Sequence, residues 1–354
     1  MTGLLDGMRV LDVSMWRPMP HATQILCDLG AEVLKVERPG GDPMRLYPEI
    51  FAGVARGKRS IELDLKSHAG FERALELVAE CDVFCESFRP GVAERLGLGS
   101  AQLRVTRPEL IYCSISGYGQ TGPWRDMPGH DLNFEALGGA IAPREGESPV
   151  MPSLPVADLE AGTMAAVLIC AAWSNKIATG EGETIDVAMA DVVAWWVGPR
   201  THVKVAGTDS KQPGSPGYGI FETADGGWIT LAPLNEQHLW TAICEALGLD
   251  GLALLSFAER LQQIDSIRDA FATAIGELSS AAALDRLSRA GAPVAPALTP
   301  EQAAMHPQLV DRGVFTKVGD VTVPTLPSIL SEHKRESVGR VPEVGGHEGF
   351  ALDT

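Results

Sequence analysis

Arg9-Val10-Leu11-Asp12-Val13, then residues 23–29, then Glu32-Val33-Leu34-Lys35-Val36-Glu37 is the stretch on which the fold turns. The outer runs are short, apolar and rich in valine, whereas the middle run places its apolar side chains at helical spacing. A strand, a helix and a second strand so spaced form a βαβ unit, whose crossover makes the strands parallel. The pattern then repeats. Ser60-Ile61-Glu62-Leu63-Asp64-Leu65 alternates as a strand, residues 70–79 form an amphipathic helix, and Val83-Phe84-Cys85-Glu86 and Leu110-Ile111-Tyr112-Cys113-Ser114-Ile115 are further strands. The expected class is α/β, a parallel sheet with helices on its faces. The first strand-to-helix turn, residues 12–21, contains no glycine. A dinucleotide fingerprint is therefore absent, and the sheet is not expected to hold NAD or FAD.

Downstream of the fifth strand the chain changes character. Ser116-Gly117-Tyr118-Gly119-Gln120-Thr121-Gly122-Pro123 is turn chemistry, and it delivers Gly129-His130-Asp131 to the mouth of an apolar helical run. Loops leaving the carboxyl ends of strands are where open α/β sheets bind ligands. Residues 143–155 read as a connector, and residues 161–172 as an almost uniformly apolar helix of the kind that lies inside a core or interface. Glu183-Thr184-Ile185-Asp186-Val187-Ala188-Met189 reads as a strand or a helix entry, and Trp195-Trp196 as packing. A Gly-, Pro- and Ser-rich stretch, residues 208–219, marks a linker. Two strand runs around Asp225-Gly226 form a hairpin, and helices follow over residues 236–247, 264–277 and 281–290. Residues 291–297 are extended, and from Gly313 short strands return to the first domain. The expected organisation is a large α/β domain over residues 1–205, completed by 315–354, a linker at 206–218 and a smaller α+β domain at 219–314.

The chain of 354 residues has 45% hydrophobic and 21% charged residues and a formal charge of −17. It is long enough for a sizeable core. The acidic balance argues against nucleic acid or an anionic membrane as partner. Six cysteines lie mostly in apolar runs without metal-ligand spacing, so they read as buried reduced thiols and no metal is expected. No apolar run reads as a membrane span, and residues 1–5 lack the features of a signal peptide. A cytoplasmic protein is the expectation.

Two residues stand out for proton chemistry. His130 precedes a helix beside Asp131, and an imidazole titrates near neutrality. Asp158 falls just before or within the first turn of the long apolar helix. The plain alternatives are that Asp131 or Asn133 caps the first helix and Asp158 the second.

Several stretches, in order, resemble the family III CoA-transferase superfamily. They include Arg9-Val10-Leu11-Asp12, Asp28-Leu29-Gly30-Ala31-Glu32-Val33, Lys58-Arg59-Ser60-Ile61-Glu62-Leu63-Asp64-Leu65-Lys66, Phe88-Arg89-Pro90-Gly91-Val92 and residues 116–123 and 303–315. The resemblance covers most of the chain, from about residue 5 to residue 320, with these stretches in the expected order. It implies a Rossmann-like large domain, a smaller α+β domain and a homodimer of interlocked chains. Gly129-His130-Asp131 is similar to the motif of the α-methylacyl-CoA racemase branch, where transferases more often carry tyrosine in place of the histidine.

By that resemblance His130 and Asp158 are proton-transfer groups on opposite faces of the α-carbon of a 2-methyl-branched acyl-CoA, and Glu236 hydrogen-bonds the histidine. Backbone N–H groups at the start of the helix bearing Asp158 are the expected donors to the enolate oxygen. Arg38 and Arg95 are the expected cations for coenzyme A, with Arg59 and Lys66 as further candidates. Leu63, Ser87, Phe88, Val92 and Asp131 are the other expected substrate contacts. Coenzyme A enters as part of the substrate, and no separate cofactor is expected. The competing function is an acyl-CoA:carboxylate CoA-transferase with Asp158 as nucleophile. Toward it point the bulky neighbours in Ala157-Asp158-Leu159-Glu160, and Gln237 stands where racemases tend to have proline. A third reading, of another class, is a catalytically silent CoA-binding subunit. His21, His202, His238 and His306 read as structural or surface residues.

Overall fold

The computed structural model describes residues 3–141, 148–198, 215–327 and 339–351. Residues 206–214 of the expected linker, residues 143–147 of the expected connector and His202 lie outside them. The chain forms two compact units, Met1–Lys204 with Val310–Thr354, and Val205–Leu309.

The first unit opens with β1 (Arg9–Asp12), α1 (Pro18–Asp28) and β2 (Glu32–Glu37). Then come α2 (Pro48–Ala55), β3 (Arg59–Glu62), α3 (His68–Glu80), β4 (Val83–Glu86), α4 (Val92–Arg95), α5 (Ser100–Thr106) and β5 (Ile111–Ser116). It continues with α6 (Asp131–Leu137), α7 (Val156–Thr179), β6 (Thr184–Ala188) and α8 (Met189–Val197). The six strands form one sheet in the order β3-β2-β1-β4-β5-β6, and every neighbouring pair is parallel. The alternation in the first third is thus an α/β sheet, as its spacing implies.

Both faces of the sheet are covered, which is why its strands read as continuous apolar runs. With a side-chain period of two, each strand splits its residues between two cores. Val10, Val33, Val83, Cys85, Ile111 and Cys113 pack with α1 and α7 on one face. Leu11, Leu34, Phe84 and Tyr112 pack with Ala74, Leu77 and Val78 of α3 and Leu103 of α5 on the other. Strand order reverses between β1 and β4, so the loops after those two strands flank the crevice where such sheets bind ligands.

Helix α1 begins at Pro18, five residues before its apolar spacing becomes readable. A proline in the first turn forfeits no intrahelical hydrogen bond, so Pro18 and Pro20 open the helix instead of delaying it. Helix α7 has the length and apolarity to cross a membrane, contrary to the expectation that no run does so. Charged residues at Asp158, Glu160 and Lys176 shorten the uninterrupted run, and this hides the helix's full length in the sequence. It is a core helix here, with Ala157, Ala161, Ala165, Ala166, Ile169 and Ala172 buried. Its other side leaves Val167, Leu168 and Ile177 exposed, and Trp195 and Trp196 of α8 are exposed as well. Among the described residues the reading of the two tryptophans as packing is met only by their edge-on contact with each other.

The second unit is a three-stranded antiparallel sheet with helices. Strands β7 (Gly219–Glu222) and β8 (Trp228–Leu231) form the hairpin around Asp225-Gly226. After α9 (Gln237–Leu247), two short helices and the longer pair Ile264–Gly276 and Ser280–Arg289, β9 (Val294–Pro296) joins β8. Its core centres on Trp240, which stacks on Phe271 at 5.4 Å and donates from Nε1 to Leu252 O at 2.7 Å.

The end of the chain returns to the first unit. After a hairpin of β10 (Phe315–Val318) and β11 (Val321–Pro324), the terminal segment lies along β3. His347 N–H donates to Ser60 O at 2.9 Å, and Ser60 N–H donates to His347 Nδ1 at 3.2 Å. The Arg59 guanidinium donates to Gly349 O at 2.8 Å. Arg59 is therefore a tether for this segment.

Candidate active site

At the crevice, a buried charge network fixes the loop after β1. The Asp12 carboxylate accepts from Ser14 N–H at 3.0 Å and Thr23 Oγ1 at 2.6 Å. Lys58 Nζ lies 3.4 Å from Asp12 and donates to Thr23 Oγ1 at 2.6 Å and Pro20 O at 3.0 Å. Lys35 Nζ donates to Ser14 O at 2.9 Å and pairs with Asp42 at 2.8 Å. Burial alone would raise the Asp12 carboxyl, but Lys35 and Lys58 outweigh it and hold it below its usual range. Burial pushes Lys58 down to about 8. The network thereby locks the start of α1 onto the carboxyl end of β1.

Ser87 extends the lock across the switch point. Its Oγ lies 3.4 Å from Met15 N and 3.3 Å from Met15 O, joining the loop after β4 to the loop after β1. Phe88 and Leu63 are half-buried against the core of the second face, and Val92 opens α4. Phe88 N–H donates at 2.7 Å to Glu86, whose carboxyl burial pushes up to about 8.

On the far side of the crevice, β5 leads into the glycine-rich loop. The Phe134 ring fills the space beneath Gly117 and Gly129, and Tyr118 stands edge-on to both Phe134 and Trp124. This aromatic cluster carries the loop back to α6. His130 is the cap residue of that helix, and its N–H donates to Asn133 Oδ1 at 3.0 Å. Asn133 therefore closes the cap, and His130 itself is exposed.

Asp131 does something else. Its Oδ1 accepts the N–H of Asp158 at 2.9 Å, while Glu135 Oε1 accepts the N–H of Val156 at 3.0 Å. Helix α7 has Pro155 at its own cap position and no side-chain cap there, so two carboxyls from α6 satisfy its first turn. Through this oxygen Asp131 serves as a cap of α7. Two expectations are corrected. Asp158 does not cap its own helix. The N–H groups of Val156 and Asp158 are occupied, and that of Leu159 bonds Pro155 O at 3.1 Å, so they are not free donors for an enolate.

The arrangement gathers three carboxyls, with His130 adjacent in sequence to one of them. Burial raises Asp158 to about 6, nearby Asp131 adds to the rise, and Arg17 opposes it. Burial and then Asp131 push Glu135 up as well. A carboxyl held near 6 takes and gives protons at neutral pH.

Two residues outside the expected set join Asp158. Arg17 acts on it electrostatically. His21, read from sequence as structural or surface, lies against Gly162, one helical turn beyond Asp158. A Cβ at Gly162 would stand 2.5 Å from Pro18 O and 3.0 Å from His21 Cδ2, so only glycine admits α1 this close. Burial, then Lys58 and Arg17, lower His21 to about 4 and keep it neutral. Its only sequence signal is its place in a strand-to-helix turn.

For an anionic ligand the same edge offers cations. Arg38 is exposed at the end of β2, with Nε donating to Gly41 O at 3.3 Å. Gly91, at φ +81°, lies between two of them, since a Cβ there would meet Arg95 Nη1 at 3.1 Å and Arg125 Nη2 at 3.5 Å. Arg125 was not anticipated. Lys66 is exposed. Glu236 belongs to the second unit, where it precedes α9 and accepts Leu234 N–H at 3.0 Å.

Residues 5–348 match CoA-transferase family III. The chain is 31% identical to the acetyl-CoA:oxalate CoA-transferase of Acetobacter aceti, over 97% of this chain and 94% of that one. It is 32% identical to the α-methylacyl-CoA racemase of Homo sapiens, over 99% and 92% of the two chains. A solved structure of a CAIB/BAIF family protein from Brucella suis superposes with a TM-score of 0.88 at 28% identity, covering 98% of both chains. With a parallel sheet that reverses at β1 and β4 and a match along nearly its whole length, the chain belongs to CoA-transferase family III.

Proposed function

We propose that this enzyme interconverts the configurations at the α-carbon of a 2-methyl-branched acyl-CoA, with His130 and Asp158 as the two proton-transfer groups. The observation that carries the reading is Asp158, whose carboxyl is raised to about 6 and whose backbone N–H donates to the carboxylate of Asp131, the residue that follows His130. One group removes the α-proton, the thioester becomes an enolate, and the other group returns a proton to the opposite face. Because the two groups begin in opposite protonation states, exchanging them runs the reaction in reverse. The amino end of α7 supplies a favourable dipole for the enolate charge. Arg38 and Arg95, with Arg125, are the proposed phosphate contacts of coenzyme A, along a path lined by Leu63, Phe88 and Val92.

A second reading, CoA transfer with Asp158 as nucleophile, has its own support. A carboxyl titrating at about 6 is mostly ionised at pH 7, and an ionised carboxylate can attack a thioester. Exchange of the α-hydrogen in heavy water without an acceptor acid supports the first reading. His130→Ala should abolish that exchange. Turnover that requires an acceptor acid, with a mass adduct on Asp158, supports the second, and CoA binding without either reaction would sink both.

The exposed apolar side chains of α7 and α8 support a homodimer, since Val167, Leu168, Ile177, Trp195 and Trp196 lie open in the single chain. The six free cysteines, with Cys85 and Cys113 side by side on neighbouring strands, support a reducing compartment such as the cytoplasm.

A further inference from the structure

Glu135 is a buried carboxyl with no part in the chemistry proposed above. It is only 2% exposed, and its Oε1 accepts the N–H of Val156 at 3.0 Å. One turn earlier on α6, Asp131 Oδ1 accepts the N–H of Asp158 at 2.9 Å. Two side chains of one short helix thus hold the first turn of another, the turn that carries Asp158. Pro155, at the cap position of α7, brings no side-chain acceptor of its own.

The two carboxyls also meet each other. Glu135 hydrogen-bonds Asp131, and burial together with that bond raises Glu135. A hydrogen bond between two carboxyl groups needs a proton between them, because two carboxylates present acceptors and no donor. Here the Glu135 O–H donates to the Asp131 carboxylate, and the pair carries one negative charge. That charge lies at the amino end of α7, where the helix dipole favours it. A second would put like charges in contact. The charged groups that act most on Glu135 are Asp131 on its own helix and Asp158 on α7, and both oppose its ionisation. Arg17, from the loop before α1, acts on Asp158. Helix α8, which also packs on α6, turns the apolar Ala190 and Val193 toward Phe134.

We infer that Glu135 is a positioning residue: through a proton shared with Asp131 it holds the backbone that carries Asp158, and loss of that proton at alkaline pH releases one of the two caps. Two charged carboxylates do not stay in contact, so either Val156 or Asp158 loses the acceptor of its N–H. The reacting carboxyl is then no longer held. The inference rests on the reading above in one respect, that Asp158 is the reacting group, and it does not depend on which of the two reactions runs.

Hydrogen exchange at the Val156 and Asp158 amides of the full chain tests it, with rates corrected for the intrinsic rate at each pH. The proteins compared are wild type, Glu135→Gln and Asp131→Asn. Glutamine can accept from Val156 N–H and donate to Asp131, and it does not ionise. Wild type should lose about tenfold or more in protection between pH 6 and pH 9, since each pH unit beyond an ionisation changes its equilibrium tenfold. Glu135→Gln should keep its protection over that range. Asp131→Asn should keep it too, because asparagine still accepts from Asp158 N–H and donates to an ionised Glu135. Should Glu135→Gln fail to fold, Asp131→Asn decides alone. Protection that is level in wild type, or that falls equally in the variants, overturns the inference. Turnover by whichever reaction is found should decline less at alkaline pH in Glu135→Gln than in wild type, and identical kcat profiles would overturn the positioning role. Should neither reaction occur, the proposed chemistry fails, and the protection of the two amides still decides whether the proton is shared.

Discussion

Replacing Asp158 with asparagine should make the protein more stable at pH 8 while removing its activity. In the unfolded chain an aspartate titrates at its ordinary value of 3.8, whereas in the fold Asp158 titrates at about 6. Below pH 3.8 both states hold the proton, and ionisation makes no difference to stability. Between the two values only the folded state keeps it, and above pH 6 the folded state carries a buried charge beside Asp131 at a cost. That rise corresponds to about 3 kcal/mol at full development. Asparagine keeps the size and the backbone N–H bonded to Asp131, and it removes the charge. For a unit of roughly 250 residues, 1 kcal/mol shifts the melting temperature by about 2–4 °C, so the variant should melt ~6–12 °C above wild type at pH 8. The gap should open between pH 4 and pH 6 and then stay level. Circular dichroism melts of both proteins from pH 4 to pH 8 measure it. A gap independent of pH, or an asparagine variant less stable than wild type at pH 8, would show that the carboxyl is not destabilised by its site.

His130→Ala should lose about 10²- to 10⁴-fold in α-hydrogen exchange with a nearly unchanged melting temperature, because the side chain is exposed and Asn133 closes the cap. A large loss of stability would give the histidine a structural role instead. Gly162→Ala should cost about 1–3 kcal/mol in urea unfolding, since the new methyl would stand 2.5 Å from a backbone carbonyl of α1. It should also depress turnover by moving Arg17 and His21. Glu86→Gln should raise the melting temperature at pH 7, because burial keeps Glu86 protonated to about pH 8 and the unfolded chain ionises it near 4.5. The amide oxygen can still accept from Phe88 N–H, and a drop in stability would contradict that account.

The sheet was readable because its strands are buried on both faces. Glu32–Glu37 and Val83–Glu86 begin and end where their apolar runs do. Boundaries set by a special backbone residue were less readable, as at Pro18, and the short helix Pro48–Ala55 has too little periodicity to announce itself. Around Asp158 the limits are of another kind. Asp131 caps a helix that starts 25 residues later, and His21 and Arg17 meet α7 from the other end of the large unit. No local pattern encodes such contacts. They arise only when α1, α6 and α7 are packed on one sheet, and it is there that a plain helix-start aspartate acquires an altered titration.

The terminal segment along β3 carries a different consequence. β3 is an outer strand, and an outer strand presents unpaired backbone groups that can recruit another chain. The bonds between Ser60 and His347 occupy part of that row with the protein's own tail. Residues 339–351 thus act as a selvedge, and a chain shortened at residue 338 would keep its chemistry within reach while gaining a sticky border prone to self-association.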